Sequence, residues 1–328
     1  MATHFLYRRR EFITLLGGAA VWPLAAKAQD LNRIYRLGFL TQVRRNTPGI
    51  VAFFDELRVN GFVEGQNVSV VPGGFDVPIA RFAEVAEAMV KAAPDAIVAG
   101  PELPMRAVQA LTQTIPLVGM TEDMIAEGFA VSLARPGGNI TGISLLSPEL
   151  DGKRQEILIE AVPGVRRIAA IADANVTPAR HLEALREATR TRGVELSLFG
   201  VTTPEKIVPA IDEAKAAGTQ ALNFLASSLF FVHRQIAIEH ATAVKLPAIY
   251  QWPEMAEEGG LAGYGSRFTQ MYRQRARMVV KILRGAKPAD VPVEQPTNFE
   301  LVINLKAAQA IGHEIPAGLV LRADRVIE

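Results

Sequence analysis

The sequence predicts an α/β protein built from two doubly wound, Rossmann-like lobes that are joined by a three-segment hinge. Three observations lead to this fold class. Short, uninterrupted apolar runs such as 35–41 and 167–173 are typical of strands buried on both faces of a parallel sheet. Longer stretches with helical periodicity separate these runs. The alternation passes twice along the chain before a less regular C-terminal part begins, and this favours two α/β lobes.

The N-terminal segment is predicted to be an export signal rather than part of the fold. Three arginines, 8–10, precede an uncharged apolar run at 12–26, and Ala26-Lys27-Ala28 closes it. A spanning helix needs about 20 apolar residues, so this run is short for a membrane anchor. A basic start, an apolar middle and small residues two apart are typical of a signal peptide. We expect residues 1–28 to be removed by cleavage after Ala28, and the adjacent arginines suggest the twin-arginine route. The mature protein is expected in the periplasm.

The first lobe takes its strands and helices from the residues that follow. Pro78 suits a helix start, and Phe82, Ala86 and Met89 recur at helical spacing on one face of the next helix. The predicted elements are strand 35–41, helix 49–61, strand 67–73, helix 78–92, strand 95–100, helix 104–113 and strand 116–120.

The second lobe repeats this rhythm after a Gly-rich stretch, 135–142, that is interpreted as a turn into the first crossing between lobes. Its elements are helix 153–162, strand 167–173, helix 179–193, strand 194–200, helix 205–218, strand 221–226, helix 230–244 and strand 247–252.

The C-terminal part is too irregular and too late in the chain to open a third lobe. An extended stretch at 259–266, a long helix at 268–285 and a proline-rich linker at 287–306 suggest two further crossings. The predicted lobes are therefore 29–143 plus 266–286, and 144–265 plus 287–328. Hinge motion is expected near Ile143, Gly263 and Pro296.

Charge and motif content exclude several classes of function. The chain has 35 Lys and Arg and 34 Asp and Glu, and removal of the leader leaves 31 and 33, a net charge of −2. This balance offers no basic field for nucleic acid. The sequence has no G-x-S-x-G, H-E-x-x-H or dinucleotide-binding motif, and no Cys. We expect a monomer that is not an enzyme and has no cofactor or metal.

Ligands of open parallel sheets bind beyond the carboxyl ends of the strands, and this rule selects the candidate site. The candidates combine acids, hydroxyls, amides and aromatic rings. They are Thr41, Gln42, Gly100, Pro101, Glu102, Thr121, Glu122, Asp123, Asp173, Asn175, Ser227, Ser228, Phe230, Tyr250, Trp252, Tyr264 and Ser266. Helix capping is the alternative role for Thr121, Asp173 and Ser227.

The chemistry of these candidates favours a zwitterionic ligand. Hydroxyls and helix N-terminal amides suit a carboxylate, an acid suits an ammonium group, and rings suit an apolar body. The strand-end loops contain no Arg or Lys, and this argues against a highly charged anion. A sugar-like ligand stays open, because sugars also stack on rings and bond to acids.

Several stretches resemble the ABC transporter substrate-binding protein family. They are the leader, "GFVEGQNV" (61–68), "SLARPGGNITGIS" (132–144), "GGLAGYGS" (259–266), "KPADVPVEQPTNFELVINLKAAQAIG" (287–312) and "IPAGLVLRADRVIE" (315–328). The family is similar to type I periplasmic binding proteins, so the resemblance implies two lobes, hinge closure on a small molecule and an ABC permease in the inner membrane as partner. Better-understood relatives bind amino acids, aromatic ones among them. Asp123 matches an acidic residue that the family often has after its fourth strand. A ligand-sensing protein that signals to a membrane receptor is the alternative of the same fold, and an exported α/β enzyme is the alternative of another class.

Overall fold

The computed structural model describes residues 33–145 and 147–328. The predicted leader, 1–28, lies outside the described residues. Within the described part of the chain, no helix has both the length and the apolar character needed to cross a membrane.

The first lobe is formed by alternating strands and helices that begin at Tyr35. Its elements are β1 (Tyr35–Leu40), α1 (Pro48–Val59), β2 (Val68–Val70), a 3-10 turn (Ile79–Arg81), α2 (Phe82–Lys91), β3 (Ala96–Ala99), α3 (Glu102–Gln109), β4 (Leu117–Thr121) and β5 (Ile140–Ser144). The five strands form a parallel sheet in the order β2-β1-β3-β4-β5.

The second lobe begins with α4 and contains the larger sheet. The remaining elements of the chain are α4 (Ser147–Ala161), β6 (Arg167–Asp173), α5 (Ala179–Arg190), β7 (Glu195–Val201), a 3-10 turn (Pro204–Lys206), α6 (Ile207–Ala216), β8 (Ala221–Phe224), α7 (Ser228–Val232), α8 (Arg234–Ala243), β9 (Ala248–Tyr250), α9 (Pro253–Glu257), β10 (Ala262–Gly265), α10 (Phe268–Leu283), a 3-10 turn (Pro288–Asp290), β11 (Glu300–Asn304), α11 (Leu305–Ile311), α12 (Ala317–Val320) and β12 (Arg325–Ile327). Seven strands form the sheet in the order β12-β11-β10-β9-β8-β6-β7, and the β10–β11 pair is antiparallel.

Burial explains why these segments form strands and helices. All four residues of β3 are buried, and β6 is buried from Ile168 to Asp173, as expected for strands covered on both faces. In α2, Phe82, Val85, Ala86 and Met89 are buried at helical spacing, so one face of the helix packs on the sheet. The predicted fold class, two doubly wound α/β lobes, is confirmed.

Helix α10 returns the chain to the first lobe, where it packs along α1. The helix places Tyr272 against Gly49 of α1: a Cβ atom on Gly49 would lie 2.7 Å from the Tyr272 ring. A larger residue at position 49 would push the two helices apart. The N-terminus of α10 directly follows the second crossing between the lobes, so its first residues face the second lobe.

The three crossings lie side by side. Glu294 runs beside the end of β5, where its N–H donates to the Gly142 carbonyl at 2.9 Å and its own carbonyl accepts from the Ser144 N–H at 3.0 Å. The Ser266 hydroxyl donates to the Asn298 carbonyl at 2.9 Å. The first crossing is thus tied to the third, and the third to the second.

One predicted boundary needs correction. Residues 287–295 were assigned to the second lobe, but the structure packs them on the first. The Thr141 hydroxyl donates to the Val291 carbonyl at 2.7 Å, and Val293 is buried among first-lobe side chains. Val291 and Val293 are two residues apart and both are buried, so one side of this segment packs on the first lobe before the chain crosses near Pro296.

Two smaller differences concern single elements. The stretch 135–142 was interpreted as a turn, but its last three residues begin β5, which pairs with β4 from Ile140 to Ser144. The helix predicted at 230–244 is two helices, α7 and α8, which meet at His233. Ser227 caps α7, and this explains why α7 starts earlier than the apolar periodicity alone suggested.

Candidate functional site

A small cavity lies between the two lobes at the carboxyl ends of their strands. Its volume is about 60 Å³. The first-lobe wall follows β1, β3, β4 and β5, the second-lobe wall follows β9 and includes α7, and α10 closes one side. The lining residues are Thr41, Gln42, Val43, Gly100, Pro101, Met120, Glu122, Leu145, Ser228, Phe231, Val232, Gln251, Trp252, Phe268 and Tyr272.

Aromatic rings from both lobes meet in this cavity. Phe268, at the start of α10, stacks on Phe231 of α7 with a centroid distance of 4.2 Å and an interplanar angle of 24°. The Trp252 ring lies 4.5 Å from that of Phe268, and Tyr272 follows at 6.2 Å. These separations are those of attractive ring pairs. We call Phe231, Trp252, Phe268 and Tyr272 the aromatic wall.

The structure brings seven of the predicted site residues together on the cavity. They come from both lobes and include the acid Glu122. The seven are Thr41, Gln42, Gly100, Pro101, Glu122, Ser228 and Trp252. Position 100 requires glycine because the β4 backbone lies close to it: a Cβ atom there would lie 2.7 Å from the Met120 carbonyl oxygen.

The other predicted acids of the first lobe form internal contacts. Asp123 accepts hydrogen bonds on Oδ1 from the backbone N–H groups of Ile125 and Ala126, both at 3.0 Å. Its carboxylate therefore closes the turn after β4. Glu102 pairs with Arg106 one helical turn later, at 3.0 Å. Neither side chain lies among the residues that line the cavity.

A buried network beneath the second-lobe wall contains Asp173 and Ser227. Ser227 donates to Asp173 Oδ2 at 2.6 Å, and its oxygen also accepts from the Leu229 N–H at 3.0 Å. Asp173 Oδ1 accepts from the backbone and side-chain nitrogens of Asn175. Gln251 bonds both backbone groups of Ser227, accepting at 2.6 Å and donating at 3.1 Å. The network fixes the β8–α7 turn, which carries Ser228 to the cavity.

The five remaining candidates serve internal packing or hydrogen bonding. Thr121 donates to Glu127 Oε2 at 2.5 Å, and burial raises the pKa of Glu127. Tyr250 stacks on Phe224 at 5.1 Å, and its burial raises the pKa of the phenol. The other members of this set are Phe230, which packs on Phe224, Tyr264, which lies near Phe299, and Ser266, which bonds Asn298.

Comparison with known proteins assigns the chain to a family. Residues 53–327 match the family described as ABC transporter substrate binding protein. The chain belongs to the ABC transporter substrate-binding protein family. The predicted resemblance is thereby confirmed.

Individual relatives agree with this assignment. A tyrosine-binding protein of Clostridioides difficile (strain R20291) is 22% identical over 263 residues, which are 79% of this chain and 75% of that protein. An ABC domain from Streptococcus pneumonia, solved in complex with L-Trp, superposes with a TM-score of 0.78 at 22% identity, covering 90% of this chain and all of that one. An ABC transporter solute binding protein from Agrobacterium vitis, solved with allitol, gives 0.58 at 14% identity, covering 86% and 98%. At these identities the structures establish the shared fold.

Some residues on the cavity of this substrate-binding protein escaped the strand-end rule. Phe268 and Tyr272 lie on α10, a helix that reaches the cavity with its first two turns rather than through a strand end. Their spacing of four residues places both on one helix face. That spacing, directly after a predicted crossing, is a signal that could have found them. Phe231 sits in the helix that was predicted as part of one longer element.

Arg275, one turn beyond Tyr272 on α10, is a further residue near the cavity that the sequence did not indicate. Its side chain is 3% exposed. Nε and Nη2 donate to the Val118 carbonyl at 3.2 and 2.8 Å, and Nη2 also donates to the Ala99 carbonyl. Burial lowers the pKa of Arg275 to about 10, so the guanidinium is cationic at neutral pH.

Proposed function

We propose that this substrate-binding protein captures an aromatic amino acid, or a related aromatic carboxylate, between its lobes and delivers it to an ABC permease. The observation that carries the proposal is the aromatic wall, because both lobes contribute rings to one cavity. A planar apolar body gains stacking contacts there. The tyrosine-binding relative and the structure solved with L-Trp lend support.

The polar part of the cavity suits the charged groups of an amino acid. Glu122 is the acid on the cavity lining, and we assign it the ammonium group. Thr41, Gln42 and Ser228 supply hydroxyl and amide donors for the carboxylate. Asp123 and Asp173 are assigned structural roles, because neither lines the cavity and both accept internal hydrogen bonds.

Capture requires the lobes to separate. A cavity of about 60 Å³ is far smaller than the roughly 300–1,000 Å³ of typical ligand pockets. The rings of the aromatic wall occupy the space that a ligand ring would need. Ligand contacts to both lobes would then favour a ligand-bound closed state over the open one.

A calorimetric and thermal-shift panel tests this proposal. The panel contains L-phenylalanine, L-tyrosine, L-tryptophan and allitol, the last because one structural neighbour was solved with it. A ligand that binds only the folded protein stabilises it by about 2.7 kcal/mol at a hundredfold excess over its Kd. We expect a raised Tm with the aromatic amino acids. A response to allitol alone would replace the proposal with a polyol-binding function.

We also propose export to the periplasm, with residues 1–28 as the signal peptide. The basis is the arginine cluster, the apolar run and the Ala-Lys-Ala ending. Intact-mass measurement of the periplasmic protein should give a chain that begins at Gln29. A chain that retains 12–26 would refute cleavage at this position.

A further inference from the structure

Arg275 is a buried cation whose charge has no carboxylate partner in the described part of the chain. Its acceptors are the carbonyl oxygens of Ala99 and Val118 at the ends of β3 and β4. No ion pair among the described residues includes it, although the ion pairs of the neighbouring Arg277 and Lys281 reach Glu56 and Glu294. A buried charge is normally paired, because removing it from water is costly.

The guanidinium lies directly behind the first-lobe wall of the cavity. A Cβ atom on Gly100, which lines the cavity, would lie 3.5 Å from Arg275 Nη2. Tyr272, also on the lining, is three residues earlier on the same helix face. Gly100 therefore lies between the cation and the cavity.

We propose that Arg275 is a specificity-determining residue that attracts an anionic group of the ligand, a carboxylate, to the first-lobe wall beside Gly100. This inference rests on the proposed function, since it places a charge on a ligand whose ring lies on the aromatic wall. Arg275 acts at a distance, through its charge, and the cavity residues form the direct contacts.

Three physical features support the assignment. Apolar and aromatic side chains form much of the cavity lining, and a charge acts more strongly across an apolar region than across solvent. The cation is held rigidly by two carbonyl groups, so it needs no reorganisation when a ligand enters. Glu122 supplies the opposite charge on the same lining. An amino acid that directs its carboxylate to Gly100 and its ammonium to Glu122 would then meet a charge of opposite sign at each end.

Matched ligands separate this role from a structural one. The probes are 3-phenylpropionate, which has a ring and a carboxylate, and 2-phenylethylamine, which has a ring and an ammonium group. The Kd of each is measured by calorimetry at pH 7 for the parent, Arg275→Met and Arg277→Met. Arg277 is the matched control, because it removes one positive charge from the exposed face of the same helix.

We expect Arg275→Met to weaken 3-phenylpropionate binding about tenfold or more, while 2-phenylethylamine binding stays the same or improves. Tenfold corresponds to about 1.4 kcal/mol. Arg277→Met should change neither Kd beyond about twofold. Equal weakening of both probes by Arg275→Met would overturn the inference and leave a structural role, and so would unchanged binding of 3-phenylpropionate.

Three further outcomes keep the inference testable. If Arg275→Met does not fold, Arg275→Lys retains the charge, and the inference requires it to keep the preference for the carboxylate over the amine. A parent protein that binds 2-phenylethylamine more tightly than 3-phenylpropionate would overturn the inference without any variant. A parent that binds neither these probes nor aromatic amino acids would overturn the proposed function together with it.

Discussion

Replacement of Glu122 by Gln tests the assignment of the ammonium site. The change removes one negative charge and keeps the size and shape of the side chain. Glu122 lines the cavity beside apolar residues such as Met120 and Leu145, so a ligand ammonium there would be poorly solvated.

The size of the effect follows from the surroundings. Two unit charges about 4 Å apart attract by roughly 4 kcal/mol at an effective dielectric constant near 20. Desolvation of both charges reduces this gain, and truncation of one partner of a buried charge pair typically costs about 2–5 kcal/mol. The lower value already corresponds to about a 30-fold loss of affinity.

Calorimetric titration with L-phenylalanine and 3-phenylpropionate measures the effect. We expect Glu122→Gln to weaken L-phenylalanine binding at least about 30-fold and to spare 3-phenylpropionate, which lacks the ammonium group. Asp123→Asn is the control, since an amide oxygen keeps the two backbone hydrogen bonds that Asp123 accepts. Unchanged affinity in Glu122→Gln would refute the reasoning, and a large loss in Asp123→Asn would assign the ammonium site to Asp123 instead.

Three further predictions concern the hinge and the aromatic wall. Burial raises the pKa of Glu254 above its ordinary 4.5, so the folded protein holds this proton more tightly than the unfolded chain does, and its stability falls as the pH rises above that value. The unfolding free energy of Glu254→Gln, relative to that of the parent, should therefore increase between about pH 4 and 7. A difference in chemical denaturation that does not depend on pH would contradict this. Phe231→Ala removes a stacked ring worth about 0.5–1.5 kcal/mol, so calorimetry should show L-phenylalanine binding weakened about 2- to 12-fold, and equal or tighter binding would exclude Phe231 from contact with the ligand. The radius of gyration from small-angle scattering should change when L-phenylalanine is added, because the lobes must separate to admit a ring, and an unchanged radius at saturation would argue against hinge motion.

The fold was predictable because its signals are local and repeated. Strand β6 was predicted with its observed bounds, 167–173, since an apolar run flanked by charged residues leaves little ambiguity. The short C-terminal elements α9, α11 and β12 were not predicted as separate elements. They have too few residues for a periodic pattern, and tertiary contacts such as the pairing of β12 with β11 define them.

The cavity lining was predictable only where strand ends supply it. Gln42, Glu122 and Trp252 lie one or two residues beyond strand ends, and the rule that ligands bind there finds such residues. The same rule selected Asp123 and Asp173, because it cannot tell which of several neighbouring polar side chains turns back to the backbone. Competition between internal donors and a ligand is decided by turn geometry, and that geometry is not visible in the spacing of residues.

The position of Phe268 explains how ligand binding can be coupled to hinge motion. This residue begins α10 immediately after the second crossing, its ring contacts Phe231 and Trp252 of the second lobe, and its N–H donates to Glu254 at 2.9 Å. The body of the same helix packs on the first lobe. A ligand ring that enters the aromatic wall must therefore displace contacts formed across the crossing itself. Because a ligand shifts an equilibrium only by its differential contacts with the two states, a ligand that replaces the ring contacts of Phe268 would, under the proposed function, change the balance between open and closed lobes.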